Sequence, residues 1–148
     1  MKAVLFDTSV LVAAIIQEHP RHLPSRHALE RVRRKELQGW LVTHTLAECY
    51  SALTSIAVPL LVPSEVREVI LGVIRPLFDF IPLTESDYAD TLDRIADVKL
   101  RGGVIYDALT LQGAFQKKIS TVVTWNVKHF ARFATPELQV ITPEDLKT

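Results

Sequence analysis

Three carboxylates in this chain stand where chemistry is possible: Asp7, Glu48 and Asp107. Asp7 follows the apolar run Ala3-Val4-Leu5-Phe6. Glu48 comes shortly after Trp40-Leu41-Val42-Thr43, and Asp107 shortly after the turn Gly102-Gly103. A further polar segment, Thr124-Trp125-Asn126, directly follows Thr121-Val122-Val123. Carboxylates gathered in one place repel one another and raise each other's pKa unless a cation neutralises them. Oxygen donors select hard ions, Mg2+ or Mn2+. Such an ion polarises a phosphoryl oxygen, helps deprotonate the attacking water and stabilises the leaving oxygen. Hydrolysis of an RNA or DNA phosphodiester is the chemistry that fits. Taken singly, each acid also has a plainer reading. Asp7, Thr8 and Ser9 are all good helix N-caps, and Glu48 and Asp107, each expected in the first turn of a helix, would suit the helix dipole.

The elements that must position these groups alternate short β-like runs with longer helical ones. Strands are expected at Ala3–Phe6, Trp40–Thr43, Phe80–Pro82, Thr121–Thr124 and Leu138–Ile141. Helices are expected at Ser9–Ile16, Ser25–Lys35, Thr45–Ala57, Pro63–Phe78 and Tyr106–Lys118, with another from Thr84 to about Leu100. Short helical turns at Val127–Phe133 and Pro143–Leu146 complete the series. His19 to Pro24 reads as a break, and Gly39 as the end of the segment before the second strand. Thr84 with Asp87 resembles a capping box, with Asp in place of Glu. Strands separated by helices imply an α/β fold with a mainly parallel sheet and helices on both faces. Ligands in such sheets sit outside the carboxyl ends of the strands. Asp7 and Glu48 fall just past predicted strands, on that edge, and Thr124-Trp125-Asn126 adds polar groups past the fourth strand.

The 148 residues suit one domain, 1–148, and 48% of them are hydrophobic, enough for a full core. Lys and Arg total 17 and Asp and Glu 17, which argues against a strongly basic nucleic-acid coat while permitting a local basic groove. Cys49 is the one cysteine, so an internal disulfide is impossible and a zinc ribbon or finger is disfavoured. A reducing compartment follows. No secretory signal is expected at the N-terminus. The longest apolar stretches, Val10–Ile16 and Ile56–Val62, fall far short of the roughly 20 residues a membrane span needs. A soluble, cytoplasmic protein without membrane association is expected.

The motifs in order carry a more specific message. Phe6-Asp7-Thr8-Ser9-Val10-Leu11, Glu48 after Thr43-His44-Thr45, Tyr106-Asp107-Ala108-Leu109, and Thr124-Trp125-Asn126-Val127-Lys128-His129-Phe130 resemble the ordered signatures of a PIN domain. Within that superfamily the chain is similar to the VapC-type toxins of bacterial toxin–antitoxin pairs, over its whole length from Val4 to Thr142-Pro143-Glu144. The resemblance implies a three-layer α/β/α fold around a mainly parallel sheet. It implies a Mg2+- or Mn2+-dependent endoribonuclease, a homodimer, and a small antitoxin partner that holds the enzyme inactive. Asp7, Glu48 and Asp107 match the family's three main acidic positions, as catalytic and metal-binding residues. Thr8 or Ser9 matches the hydroxyl position after the first Asp, and Thr124 the hydroxyl of the last motif. The departure lies in that motif, where many members carry another acid; here Asn126 and His129 stand instead. Asn126 could offer a carbonyl oxygen to a metal-held water, and His129 could contact a phosphate or pack against Phe130. With one negative charge fewer, a one-metal resting state is expected.

RNA needs cationic contacts to its phosphates. Arg101 and Lys128 flank site segments and are the leading choices; Arg31, Arg33, Arg34, Lys35, Lys99, Lys117 and Lys118 read more readily as solvated faces. Trp125 could stack on a base or fill the core. His19, His22 and His27 are too loosely spaced for a metal site. Leu53, Ile56, Leu60, Leu61, Val69, Ile70, Val73 and Ile74 exceed what one thin core needs, which suits dimer burial or an antitoxin groove, or else ordinary core. Three rival readings stand beside the ribonuclease. A haloacid-dehalogenase phosphatase would need a second acid where Ser9 stands. A PIN-like domain could bind RNA or protein with weak or no cleavage. A DNA nuclease would use the same acids.

Overall fold

The computed structural model describes residues 1–146. A five-stranded sheet in the order β3-β2-β1-β4-β5 forms its centre, and every neighbouring pair is parallel. The strands are β1 (Lys2–Phe6), β2 (Leu37–Val42), β3 (Asp79–Ile81), β4 (Thr121–Val123) and β5 (Gln139–Ile141). The helices are α1 (Thr8–Ile15), α2 (His22–Arg33), α3 (His44–Thr54), α4 (Pro63–Val69), α5 (Arg75–Leu77), α6 (Glu85–Asp97), α7 (Val104–Lys117) and α8 (Val127–Ala131). A π-helical turn, Ile70–Ile74, joins α4 to α5.

Parallel strands covered by helices on both faces are near-continuously apolar, because each side chain enters one of two cores. Alternate residues of β1 do so here. Val4 and Phe6 join Val10, Leu11, Val32, Leu53 and Ile74 on one face, while Leu5 joins Ala108, Leu111, Ala114 and Phe130 on the other. The same alternation separates Leu41 from Val42 and Val123 from Val122. Helices α1 to α5 therefore cover one face, and α7 and α8 cover the other. β1 lies between β2, reached through the first layer, and β4, reached through the second. The chain changes side there, so a crevice opens beyond the carboxyl ends of β1 and β4.

The sequence places the five strands and the long helices to within a few residues at most of their ends, the expected Pro63–Phe78 helix is divided by the π-helical turn, and three further differences bear on packing or on the site. Pro24 lies inside α2, not before it: its position in the first turn needs no backbone N–H donor, so the helix runs through it. β2 begins at Leu37, and Gly39 is a strand residue rather than a terminator. A Cβ at Gly39 would lie 2.6 Å from the Phe78 ring and 2.9 Å from Val32 Cγ1, so the lack of a side chain lets α2 and Phe78 close on the sheet. The helix after β2 starts at His44, one residue early, which moves Glu48 out of its first turn. The capping box at Thr84 and Asp87 is complete: Thr84 Oγ1 accepts from the Asp87 N–H at 3.2 Å, and Asp87 Oδ2 accepts from the Thr84 N–H at 2.8 Å.

The apolar surplus divides. Leu53, Ile70 and Ile74 are core, whereas Leu60 and Val73, with neighbouring Val62 and Leu71, are exposed. Among the described residues, no helix is long and apolar enough to cross a membrane.

Candidate active site

Five elements bring the sequence-singled residues to the crevice. A pocket of about 400 Å3 at the carboxyl edge is lined by Asp7, Thr8, Ser9, Glu48, Asp107, Trp125 and Asn126, with Val12, His19, Arg21 and Ala52 completing its wall. Asp7 and Ser9 come from the β1–α1 junction, Glu48 from α3, Asp107 from the first turn of α7, and Trp125 and Asn126 from the loop after β4. The three acids meet in space although 100 residues separate the first from the last.

Asp7 occupies the N-cap position of α1, yet its side chain makes no capping hydrogen bond. Its Oδ2 instead accepts from Ser9 Oγ at 2.7 Å and from Thr124 Oγ1 at 2.7 Å. The Thr124 bond spans the crevice from β4 to β1, in line with the Asp7 N–H donating to the Val123 carbonyl at 3.0 Å. Thr124 is fully buried, and its hydroxyl also accepts from the Asn126 N–H at 2.9 Å. Both hydroxyls converge on Oδ2, and Oδ1 receives no side-chain donor among the described residues. The close partners of the Asp7 side chain are thus two hydroxyls of the crevice, more than a plain helix cap would recruit.

The electrostatics follow from burial and crowding. Burial pushes the Asp7 carboxyl above its ordinary value, the hydrogen bonds from Ser9 and Thr124 pull it down, and the Glu48 charge pushes it up again. Asp107 is raised to about 7, first by burial, then by the charges of Asp7 and Glu48; His44 opposes this. Buried Cys49, beside Glu48, has its thiol raised to about 12 by desolvation and by the Glu48 and Asp7 charges, which makes it inert as a nucleophile. Each of these three groups feels at least one other acid, the signature of an anionic cluster in want of a counter-charge.

Whether a divalent cation fits can be judged from the donors. Among the described residues, no three His, Cys, Asp or Glu side chains are drawn together as a ready-made metal cage. The donor set suits instead a hydrated hard ion, which takes one or two carboxylates and keeps several waters. Two buried oxygens on the pocket wall, Thr8 Oγ1 and Glu48 Oε1, lack a hydrogen-bond partner. His44 Nδ1 approaches Glu48 Oε1 to 2.6 Å but off the axis of a hydrogen bond, so that close contact leaves both atoms unsatisfied. A water-bearing cation among Asp7, Glu48 and Asp107 is compatible with this arrangement.

The remaining expectations find mixed places. Asn126 lines the pocket and is exposed. His129 does not pack into the core: it is 57% exposed at the side chain, with Nδ1 3.8 Å from Asp107 Oδ2. Phe130, beside it, is buried. Trp125 is half-buried against the core, with its indole N–H donating to Ser25 Oγ at 2.8 Å. Lys128 and Arg101 are exposed and stand outside the pocket lining. Of the histidines set aside, buried His22 pairs through Nδ1 with the Ala13 carbonyl at 3.0 Å, and His19 lines the pocket.

Sequence reasoning missed two neighbours of the acids. His44 lies four residues before Glu48, a spacing that places both on one helical face. Arg21 lies in the stretch read as a break between helices, and no local pattern marks it.

Comparison with known proteins bears on the family and the fold. The PIN domain family model matches residues 3–128. Ribonuclease VapC40 of Mycobacterium tuberculosis is 31% identical over 104 residues, 70% of this chain and 72% of that protein. Among solved structures, FitAB bound to an IR36 DNA fragment matches with a TM-score of 0.70 at 19% identity, covering 98% of both chains. Mycobacterium tuberculosis VapC20, described as a sarcin-ricin loop cleaving toxin, matches with a TM-score of 0.71 at 13% identity, covering 89% of this chain and 96% of that one.

Proposed function

The chain belongs to the PIN domain family, and from that premise we propose that it is a Mg2+- or Mn2+-dependent endoribonuclease, the toxin of a toxin–antitoxin pair. The observation that carries this reading is the convergence of Asp7, Glu48 and Asp107 on one pocket at the β1–β4 crevice. Its relatives support the substrate: one is named a ribonuclease, and one solved structure is of a toxin that cleaves the sarcin-ricin loop.

Asp7, Glu48 and Asp107 would hold the cation. When bound, such an ion supplies charge that polarises the phosphoryl oxygen and lowers the pKa of a water. The protein's own groups set the geometry. Thr124 and Ser9 fix the Asp7 carboxylate through Oδ2 and leave Oδ1 without a side-chain donor. Asp107, with a pKa of about 7, is ready to lose its proton as cationic charge arrives. His129, beside Asp107 and open to solvent, stands where a fourth acid would otherwise add negative charge.

The protein acts in the cytoplasm as a homodimer restrained by a small antitoxin. Complexes with partner chains among its structural neighbours support the antitoxin, and exposed Leu60, Val62, Leu71 and Val73 offer apolar surface for association. The test is cleavage of RNA in Mg2+ or Mn2+ by the native chain and by Asp7→Ala, with single-stranded DNA digested alongside. Cleavage of RNA alone, lost in Asp7→Ala, is the expected result. Equal activity in both proteins, or none in either across varied RNAs, overturns the assignment and leaves a PIN-like binding domain; preferential digestion of DNA would make it a DNA nuclease.

A further inference from the structure

Three carboxylates, Asp7, Glu48 and Asp107, line the pocket. Among the described residues that line it, only Arg21 carries a fixed positive charge. Arg21 directly precedes α2 and is exposed, and its backbone N–H donates to His19 Nδ1 at 3.0 Å. It forms no ion pair among the described residues, unlike Arg31, Arg33, Arg34 and Arg67. Its Cζ lies over the Trp125 ring, 4.7 Å from the centroid.

The support beneath Arg21 is tied to the acid centre. Trp125 is held at two points: its backbone N–H donates to Ser9 Oγ at 3.0 Å, and its indole N–H to the fully buried Ser25 at 2.8 Å. The same Ser9 hydroxyl donates to Asp7 Oδ2. A chain of hydrogen bonds therefore sets the position of the indole, and with it the guanidinium, relative to the Asp7 carboxylate. An arginine resting on an aromatic face keeps the N–H donors at its edge available for a phosphate, in a geometry that costs little entropy to hold. A cation without an ion-pair partner that lines the same pocket of about 400 Å3 as three carboxylates matches a substrate that is itself anionic along its length.

We propose that Arg21 is a substrate-positioning residue that binds an RNA backbone phosphate flanking the scissile one, with Trp125 as its platform. This rests on the ribonuclease reading above and adds to it the residue that registers the strand across the acids. It assigns Trp125 to holding the arginine rather than to stacking on a base.

The test is an anisotropy titration of a fluorescein-labelled, mixed-sequence single-stranded oligoribonucleotide over a series of KCl concentrations. The full chain carrying Asp107→Asn serves as parent, which prevents cleavage during the titration. Adding Arg21→Gln should weaken binding about tenfold and lower the slope of log affinity against log salt by about 0.7, the value for one phosphate contact on a single strand. Arg21→Lys, which keeps the charge and loses the fork, should retain the slope and bind within about threefold of the parent. Unchanged affinity and slope in Arg21→Gln would overturn the proposal while leaving the nuclease reading intact. Loss of slope in Arg21→Lys equal to that in Arg21→Gln would overturn it in favour of a packing role. A parent that binds no RNA would overturn both this proposal and the choice of substrate.

Discussion

Replacing Asp107 with Asn should stabilise the metal-free protein at alkaline pH, at the expense of cleavage. Folding raises the Asp107 carboxyl from an ordinary 3.8 to about 7. A folded-state pKa above the unfolded one means that the native state binds more protons between those values, so stability falls as pH rises from about 4 to about 7 and levels off above. The full gap corresponds to roughly 4 kcal/mol. The side chain keeps 21% of its surface in water, and solvent screening reduces the cost of the charge to about 1–2 kcal/mol. Asn has nearly the same shape and no charge. In EDTA at pH 8, Asp107→Asn should therefore melt about 3–6 °C above the native chain, and that advantage should shrink as pH falls and be lost by about pH 4, where the unfolded-state carboxyl is protonated too. Added Mn2+ should raise the melting temperature of the native chain at pH 8 and leave the variant nearly unmoved. Differential scanning fluorimetry over pH, with and without metal, reads all of this. A variant no more stable than the native chain at pH 8, or an advantage independent of pH, would refute the electrostatic account of the cluster.

Three other substitutions probe the surroundings. Thr124→Val removes a fully buried hydroxyl that serves both Asp7 and the Asn126 N–H; urea unfolding should show a loss of about 1–3 kcal/mol, and because that bond lowers the Asp7 pKa, the acid limb of the cleavage–pH profile should move to higher pH. Asn126→Asp should tighten Mn2+ binding measured by calorimetry, and an unchanged affinity would take Asn126 out of the metal's reach. Gly39→Ala would set a methyl 2.6 Å from the Phe78 ring and should cost about 1–3 kcal/mol in chemical denaturation without altering the pocket.

The sheet was legible in the sequence because a strand buried on both faces has to be a short apolar run, and Val4-Leu5-Phe6 and Val122-Val123 are such runs. Asp7 was legible for a related reason: a carboxylate directly after a buried apolar strand is conspicuous, whereas Glu48 and Asp107, which lie on helices, stood out through the ordered motifs. The helix around Pro24 was less so, since a proline in a first turn and a proline in a loop look alike until the N–H donors are counted. What local pattern could not supply was the set of contacts between distant segments. Nothing near Arg21 announces that it will lie over Trp125, more than 100 residues further along, or that Ser25 will receive the indole N–H. His129 was open for the same reason: its two readings, contact with a phosphate or packing against Phe130, look alike in sequence, and α8 turns the side chain outward to Asp107.

The bond between Thr124 and Asp7 joins groups 117 positions apart. During synthesis a chain lengthens at roughly 5–20 residues per second, so for several seconds Asp7 and Glu48 are already made while β4, the strand that must lie against β1, does not yet exist. A growing chain still attached to the ribosome therefore carries an incomplete centre, and fragments ending before Thr124 should be inert however well their first strands assemble. For a protein that degrades RNA, this order of assembly delays activity until β4 and Thr124 have been made, a safeguard for the machinery that is making it.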